Sequence, residues 1–252
     1  MQQNINKIVG DLRSIQNRDP NFELSQFKSL ITTYQYDRLY RLFIKYIQPE
    51  SKVLDWGCGN GHFSYFLVKM NYQTDSFSFA DFLLDKHLSS ADNYRFTKGN
   101  FNEPTTLPYP DNNFDAVVSV GVLEHVRETG GEEMKSLAEI SRILKAKGLF
   151  ICYHLPNKFS SIETIVSFMP KKYGHKYRYT AKEIKEICEG TGFEILELKR
   201  YGFLPRNFWG NYPEPIRNSV IIAWIYNFLD CLLGLIFSPL CQNYLFVARK
   251  KR

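Results

Sequence analysis

The stretch VLDWGCGNGHF, residues 53–63, decides the fold. Val53 and Leu54 read as a buried strand, Gly57, Gly59 and Gly61 as a tight turn, and the amphipathic run from His62 as the start of a helix. Strand, glycine turn and helix in that order commonly cradle a nucleotide: the helix N-terminus offers backbone N–H groups, and the glycines let the chain come close. Two versions of this cradle are excluded. A dinucleotide fingerprint needs a small residue three positions after Gly59, where His62 stands, and no Gly-Lys-Ser/Thr follows as in a P-loop. Asp55 narrows the choice further. A carboxylate at the mouth of the loop repels a pyrophosphate and attracts a cation, so the ligand sought has an adenosine half and a cationic half.

Outward from this stretch, strand and helix alternate. Strands are expected at 53–54, 77–79, 114–122, 148–155, 193–201 and 243–250, with helices at 61–70, 131–146 and 180–190. This alternation predicts an α/β fold, a mostly parallel sheet with helices on both faces. Residues 1–48 read as an N-terminal helical cap, with Ile5, Ile8, Val9, Leu12 and Ile15 on one side of the first helix and Leu39, Leu42, Phe43 and Ile47 on a later one. Residues 49–252 then form the main domain, with an apolar helical insertion at about 205–240. The five cysteines include no CxxC pair, which suggests neither a disulfide framework nor a zinc site and fits a reducing cytoplasm. The first sixteen residues lack the apolar core of a signal peptide. Net charge is +6 with no contiguous basic face, so nucleic acid is not an expected partner.

VLDWGCGNG matches every required position of hydrophobic-hydrophobic-Asp-x-Gly-x-Gly-x-Gly, the first motif of the class I S-adenosylmethionine-dependent methyltransferases. The chain resembles that family well over roughly residues 50–155 and loosely beyond. The resemblance implies a Rossmann-like, seven-stranded sheet with an antiparallel last strand, and S-adenosylmethionine as cofactor. The loop residues Asp55, Gly57, Cys58, Gly59 and Gly61 are then the expected cofactor contacts. The family's second strand ends in an acid that holds the ribose hydroxyls; here Ser78 occupies that place, with Asp75 and Asp81 nearby, and either Ser78 or Asp81 is expected at the ribose. Asn100 matches the polar residue that meets the adenine amine, and Phe101 would lie near the ring. Ser119, Val120 and Gly121 match the backbone that passes under the methionine moiety.

Methyl transfer is an in-line attack on a sulfonium methyl, so the enzyme chiefly positions the partners, and a base helps when the nucleophile is a hydroxyl. His125, His154 and His175 are the candidates, each with the near-neutral titration that suits the task. Related ubiquinone-type O-methyltransferases hold a cation with an acid three residues before a Glu-His pair. Here the pair is Glu124-His125 but that earlier place is Gly121, so no metal is expected. The region after Leu155 is expected to frame the acceptor, with Thr180 capping a helix, Gly192 ending it, and Lys171, Lys172, Lys176 and Arg178 favouring an anion.

The run from Val220 to Phe237 is apolar except for Asn227 and Asp230. A charge at its middle makes membrane spanning costly. A helical hairpin or bent helix packed over the acceptor pocket is expected there, covered on nearly all sides by its own domain, a second subunit or lipid, with peripheral membrane contact or a homodimer on its outer face. The expected function is methyl transfer to a small-molecule acceptor, an oxygen of a quinone-precursor, lipid-linked or cell-envelope metabolite. The alternative is a methyltransferase-like scaffold without activity.

Overall fold

The computed structural model describes residues 2–18, 24–81, 84–168 and 174–251; the basic positions Lys171 and Lys172 lie outside them. In chain order the elements are α1 (Gln2–Arg18), α2 (Leu30–Tyr46), β1 (Lys52–Trp56), α3 (His62–Lys69), β2 (Gln73–Ser78), α4 (Asp85–Leu88), β3 (Tyr94–Lys98), β4 (Phe114–Val120), α5 (Glu133–Ile143), β5 (Leu144–Pro156), α6 (Ser161–Ser167), α7 (Ala181–Gly190), β6 (Phe193–Tyr201), α8 (Glu214–Arg217), α9 (Val220–Ile236) and β7 (Asn243–Lys250). The seven strands form one sheet in the order β3-β2-β1-β4-β5-β7-β6. The first five run parallel, and β7 lies antiparallel between β5 and β6. Strand order reverses between β1 and β4, which opens a crevice at the carboxyl edge where ligands of open α/β sheets bind. The Rossmann-like expectation, antiparallel last strand included, is met.

Two boundaries moved for identifiable reasons. The helix expected over 131–146 stops at Ile143, because Leu144 already pairs with Phe114 and the pairing then jumps to Ala116–Leu149. β3, Tyr94–Lys98, stood out in no hydrophobic pattern: it is an edge strand, only half-buried, with a polar sequence. β2 is also longer than its apolar end suggested, running back to Gln73 through buried Asp75 and Ser76. The buried Ser76 hydroxyl is satisfied by a relay, Ser76 Oγ to Ser64 Oγ at 2.6 Å and Ser64 Oγ to Asp55 at 2.6 Å, which ties β2, α3 and β1 together.

The N-terminal helices bury the apolar sides expected of them: Ile5, Ile8 and Leu12 of α1 join Leu39 and Phe43 of α2 in the same core as Val53 and Phe63. At α7 the Thr180 side chain accepts from the Glu183 N–H while Glu183 accepts from the Thr180 N–H, a reciprocal cap.

The 218–240 segment is one helix, α9, followed by a short turn, and not a hairpin; the described residues of its own chain cover only one side of it. Its buried residues are Ala223, Asn227 and Asp230, so the polar stripe faces inward and Val220, Ile221, Trp224, Phe228, Leu235 and Ile236 face out. The inversion has one cause. Arg206, itself buried, donates to Asn227 at 2.6 Å, to Asp230 at 2.5 Å and to the Ile31 carbonyl at 2.7 Å, while Asp230 also accepts the N–H groups of Phe203 and Leu204. No helix among the described residues is long and apolar enough to cross a membrane.

Candidate active site

β1 ends at Trp56 and the chain turns back on three glycines with positive φ: Gly57 (72°), Gly59 (54°) and Gly61 (84°). The N–H groups of Gly57 and Cys58 both donate to the Phe77 carbonyl at 2.8 and 3.0 Å, pinning the turn to the end of β2. A Cβ on Gly57 would meet Val122 at 2.6 Å, whereas one on Gly59 would meet nothing nearer than 3.9 Å. One glycine is thus demanded by packing, and the other leaves room beside the turn.

A cavity of about 270 Å³ lies against this turn, lined by Asp55, Gly57, Cys58, Gly59, Val120, Gly121 and His154 together with Gln26, Tyr36, Asn60, His62 and Phe63. Asp55 is fully buried, and burial pushes its carboxyl up to about 7 against the lowering effect of the Ser64 bond. Gly61 caps α3, and Ser119 is sealed inside the sheet with its hydroxyl lacking a partner. Ser78 lines a neighbouring hollow with Phe79 and His125, on the far side of Gly57. Phe101 stacks on Phe79, with centroids 4.9 Å apart. Asp81 is exposed and paired with Lys98 at 2.9 Å, Asn100 accepts the Asn102 N–H, and Asp75 lies mid-strand, facing no described cavity.

A second cavity of about 230 Å³ adjoins the first, and Tyr36, Gly121 and His154 line both. Glu124, His125, Glu163, His175 and Arg206 face this second chamber. All three candidate histidines therefore meet there, although His125 follows β4, His154 ends β5 and His175 precedes α7.

Their chemistry differs. His154 sits at a positive φ of 66°, where the register of β5 against β7 shifts. Its backbone N–H donates to the Tyr201 hydroxyl at 2.9 Å, and Nδ1 lies 2.8 Å from the same hydroxyl. Burial holds the ring's pKa down at about 3. His154 thus stands as a neutral imidazole at the junction of the two cavities. His175 is held by Glu163 twice, through its N–H at 3.0 Å and Nδ1 at 2.9 Å. Burial alone would lower its pKa, but the Glu163 bond and the surrounding carboxylates outweigh it and raise it. His125 Nδ1 pairs with Glu128 at 2.9 Å.

The comparisons with known proteins agree with this geometry. A family model described as a methyltransferase domain matches residues 54–152. An uncharacterised protein of Methanocaldococcus jannaschii is 35% identical over 173 residues, covering 68% of this chain and 67% of that one. The chain belongs to the S-adenosylmethionine-dependent methyltransferases. The eEF1A lysine and N-terminal methyltransferase of Mus musculus is 31% identical over 128 residues, 48% of this chain and 18% of that one. The sterol 24-C-methyltransferase ERG6B of Gibberella zeae is 32% identical over 115 residues, 42% of this chain and 28% of that one. The chain thus spans under a third of these two enzymes. A S-adenosylmethionine-dependent methyltransferase structure from Archaeoglobus fulgidus shares the fold, with a TM-score of 0.57 at 18% identity, over 86% of this chain and 94% of that one.

The glycine-turn cavity fits this family's cofactor, which supplies the electrophilic methyl when bound. Asp55 is a buried carboxylate facing a cavity and lacking a cation among its partners, as an ammonium- and sulfonium-bearing ligand requires. Sequence reading missed Tyr36 and His62, which pack edge-on 4.7 Å apart and wall the cavity, and Tyr201, whose hydroxyl hydrogen-bonds His154 Nδ1. His62, directly after the glycines, was visible in the motif; Tyr36 and Tyr201 had no local signal.

Proposed function

We propose that this methyltransferase acts on an oxygen of an amphipathic acceptor, a polar head carried on an apolar tail. The observation that carries it is the shape of the space beyond the junction. The polar chamber shares Glu163, His175, Arg206, Asn207 and Gln242 with a larger groove of about 570 Å³, whose other walls are Ile162, Ile165, Val166, Pro205 and Phe208. A head group in the chamber lies beside Gly121 and the cofactor cavity, while its tail lies in the groove. Glu124, His125 and His175 surround the head and handle the proton of an attacking hydroxyl. His154, which lines both cavities, orients the oxygen. The sterol methyltransferase among the relatives is in keeping with an apolar acceptor.

The test compares acceptors with one head and tails of different length. Each buried methylene is worth about 0.8 kcal/mol, so shortening the tail by four carbons lowers kcat/KM roughly a hundredfold. A tail-free head methylated as efficiently as the tailed compound would sink the reading.

The outward face of α9 supplies the setting. Exposed Ile221, Trp224, Phe228, Leu235 and Ile236 make an apolar patch larger than scattered surface residues. α6 adjoins the end of this region through Ser161 Oγ and the Leu240 carbonyl, and exposes Ile165 and Phe168. We assign this face to a lipid surface, from which the tail enters the groove. Purified protein is expected to co-sediment with phosphatidylcholine vesicles, and Ile221→Glu with Trp224→Glu to release it. A stable dimer that ignores vesicles would replace lipid by a second subunit.

A further inference from the structure

We propose that Glu124, His125 and His175 bind one divalent transition-metal cation at the floor of the acceptor chamber. One ligand atom from each of the three lies within 4.8 Å of the other two. Donor atoms on such a cation at about 2.0–2.2 Å sit roughly 3–3.6 Å apart, so side-chain rotations of about 1 Å close the site. Two imidazoles and a carboxylate with room for further ligands are a donor set that suits zinc, iron or manganese.

Two independent observations point to a ligand here. Glu124 is 3% exposed, and its Oε2 is buried without a hydrogen-bond partner. An unpaired buried carboxylate oxygen is costly unless something cationic answers it. Each histidine also presents Nδ1 to a carboxylate, His125 to Glu128 and His175 to Glu163, both at 2.9 Å. A carboxylate behind the ring is the usual support of a metal-bound histidine. The sequence reading expected no metal because Gly121 stands where an acid would. The structure brings His175 from 50 residues further along the chain to the same place, and Glu124 Oε1 lies 3.6 Å from where a Cβ on Gly121 would stand.

The consequence rests on the acceptor reading above: a cation here polarises the acceptor oxygen and eases loss of its proton. The site itself is tested without turnover. Metal-stripped protein is titrated with Zn²⁺ and with Mn²⁺, with Mg²⁺ as the comparison, and Co²⁺ absorption reports the ligands. One equivalent bound at micromolar concentration or tighter is expected. Glu124→Gln and His175→Ala should each weaken binding by more than tenfold, and Glu163→Gln by about ten- to a hundredfold, all at an unshifted thermal midpoint. No uptake by folded parent protein, or equal uptake by these variants, overturns the site. Methyl transfer that persists in chelator, without uptake, removes the cation and leaves the proposed function standing. Uptake without methylation of any oxygen acceptor supports the site and removes that function.

Discussion

Asp230→Ala lowers the stability of the protein by about 3–5 kcal/mol, the cost of stranding one member of a buried ion pair. The reason lies in what depends on that carboxylate. It accepts from Arg206 at 2.5 Å and from the Phe203 and Leu204 N–H groups at 2.8 and 2.7 Å, and both charged side chains are only 7% exposed. Alanine leaves a guanidinium and two backbone donors buried with fewer partners. For a chain of this size the melting midpoint should fall by roughly 6–20 °C. Asp230→Asn, which keeps an acceptor for the two N–H groups, should lose less. A midpoint within about 2 °C of the parent for the alanine variant would mean that α9 is held by something other than this pair. The same variant also frees the polar stripe of α9, so vesicle binding should weaken with it.

The second large effect concerns Asp55. Its folded-state carboxyl is raised to about 7 by burial, while in the unfolded chain it titrates near the ordinary value of about 4. Below about 4 both states hold the proton and burial costs nothing through ionisation. Between about 4 and 7 the folded state holds a proton that the unfolded state has lost, so this group's contribution makes stability fall as pH rises through that window. Cofactor binding runs the opposite way. A ligand bearing ammonium and sulfonium charges favours the ionised carboxylate, so its affinity should climb as pH rises through about 7. Asp55→Asn should flatten that rise and weaken binding by about ten- to a hundredfold at pH 8, the worth of one hydrogen bond to a charged group. Calorimetric titration of both proteins from pH 5.5 to 8.5 decides it. Equal affinities, or a parallel slope in the variant, would place the cationic half of the cofactor away from Asp55.

Site legibility followed chain locality. Asp55, Gly57, Cys58 and Gly59 line one cavity because the end of β1 and the turn that follows it must share a place once the glycines take their left-handed conformations. Val120 and Gly121 follow because β4 pairs beside β1, Asp55 opposite Val118. Asp81, Asn100 and Phe101 belong to loops whose paths the motif does not constrain, and they face none of the described cavities. The hydrogen bond that holds His154 comes from Tyr201, 47 residues away, and the metal-competent cluster depends on His175 being drawn in by Glu163. No spacing rule reaches such pairs.

By itself the sequence determined six of the seven strands, the glycine turn and the kind of ligand it wants, because hydrophobic periodicity, glycine spacing and one acid act within a few residues of each other. Only the tertiary structure decided which way α9 faces. Read alone, Val220–Phe237 looks like a segment that must be covered, since burying apolar area is the dominant favourable term in folding. Arg206 reverses the outcome locally: a buried guanidinium with one carboxylate and one amide to satisfy it holds Asn227 and Asp230 inside and leaves the aromatic and aliphatic side out. The partner that sets the orientation lies 21 to 24 residues before those positions, beyond any pattern a helix carries within itself.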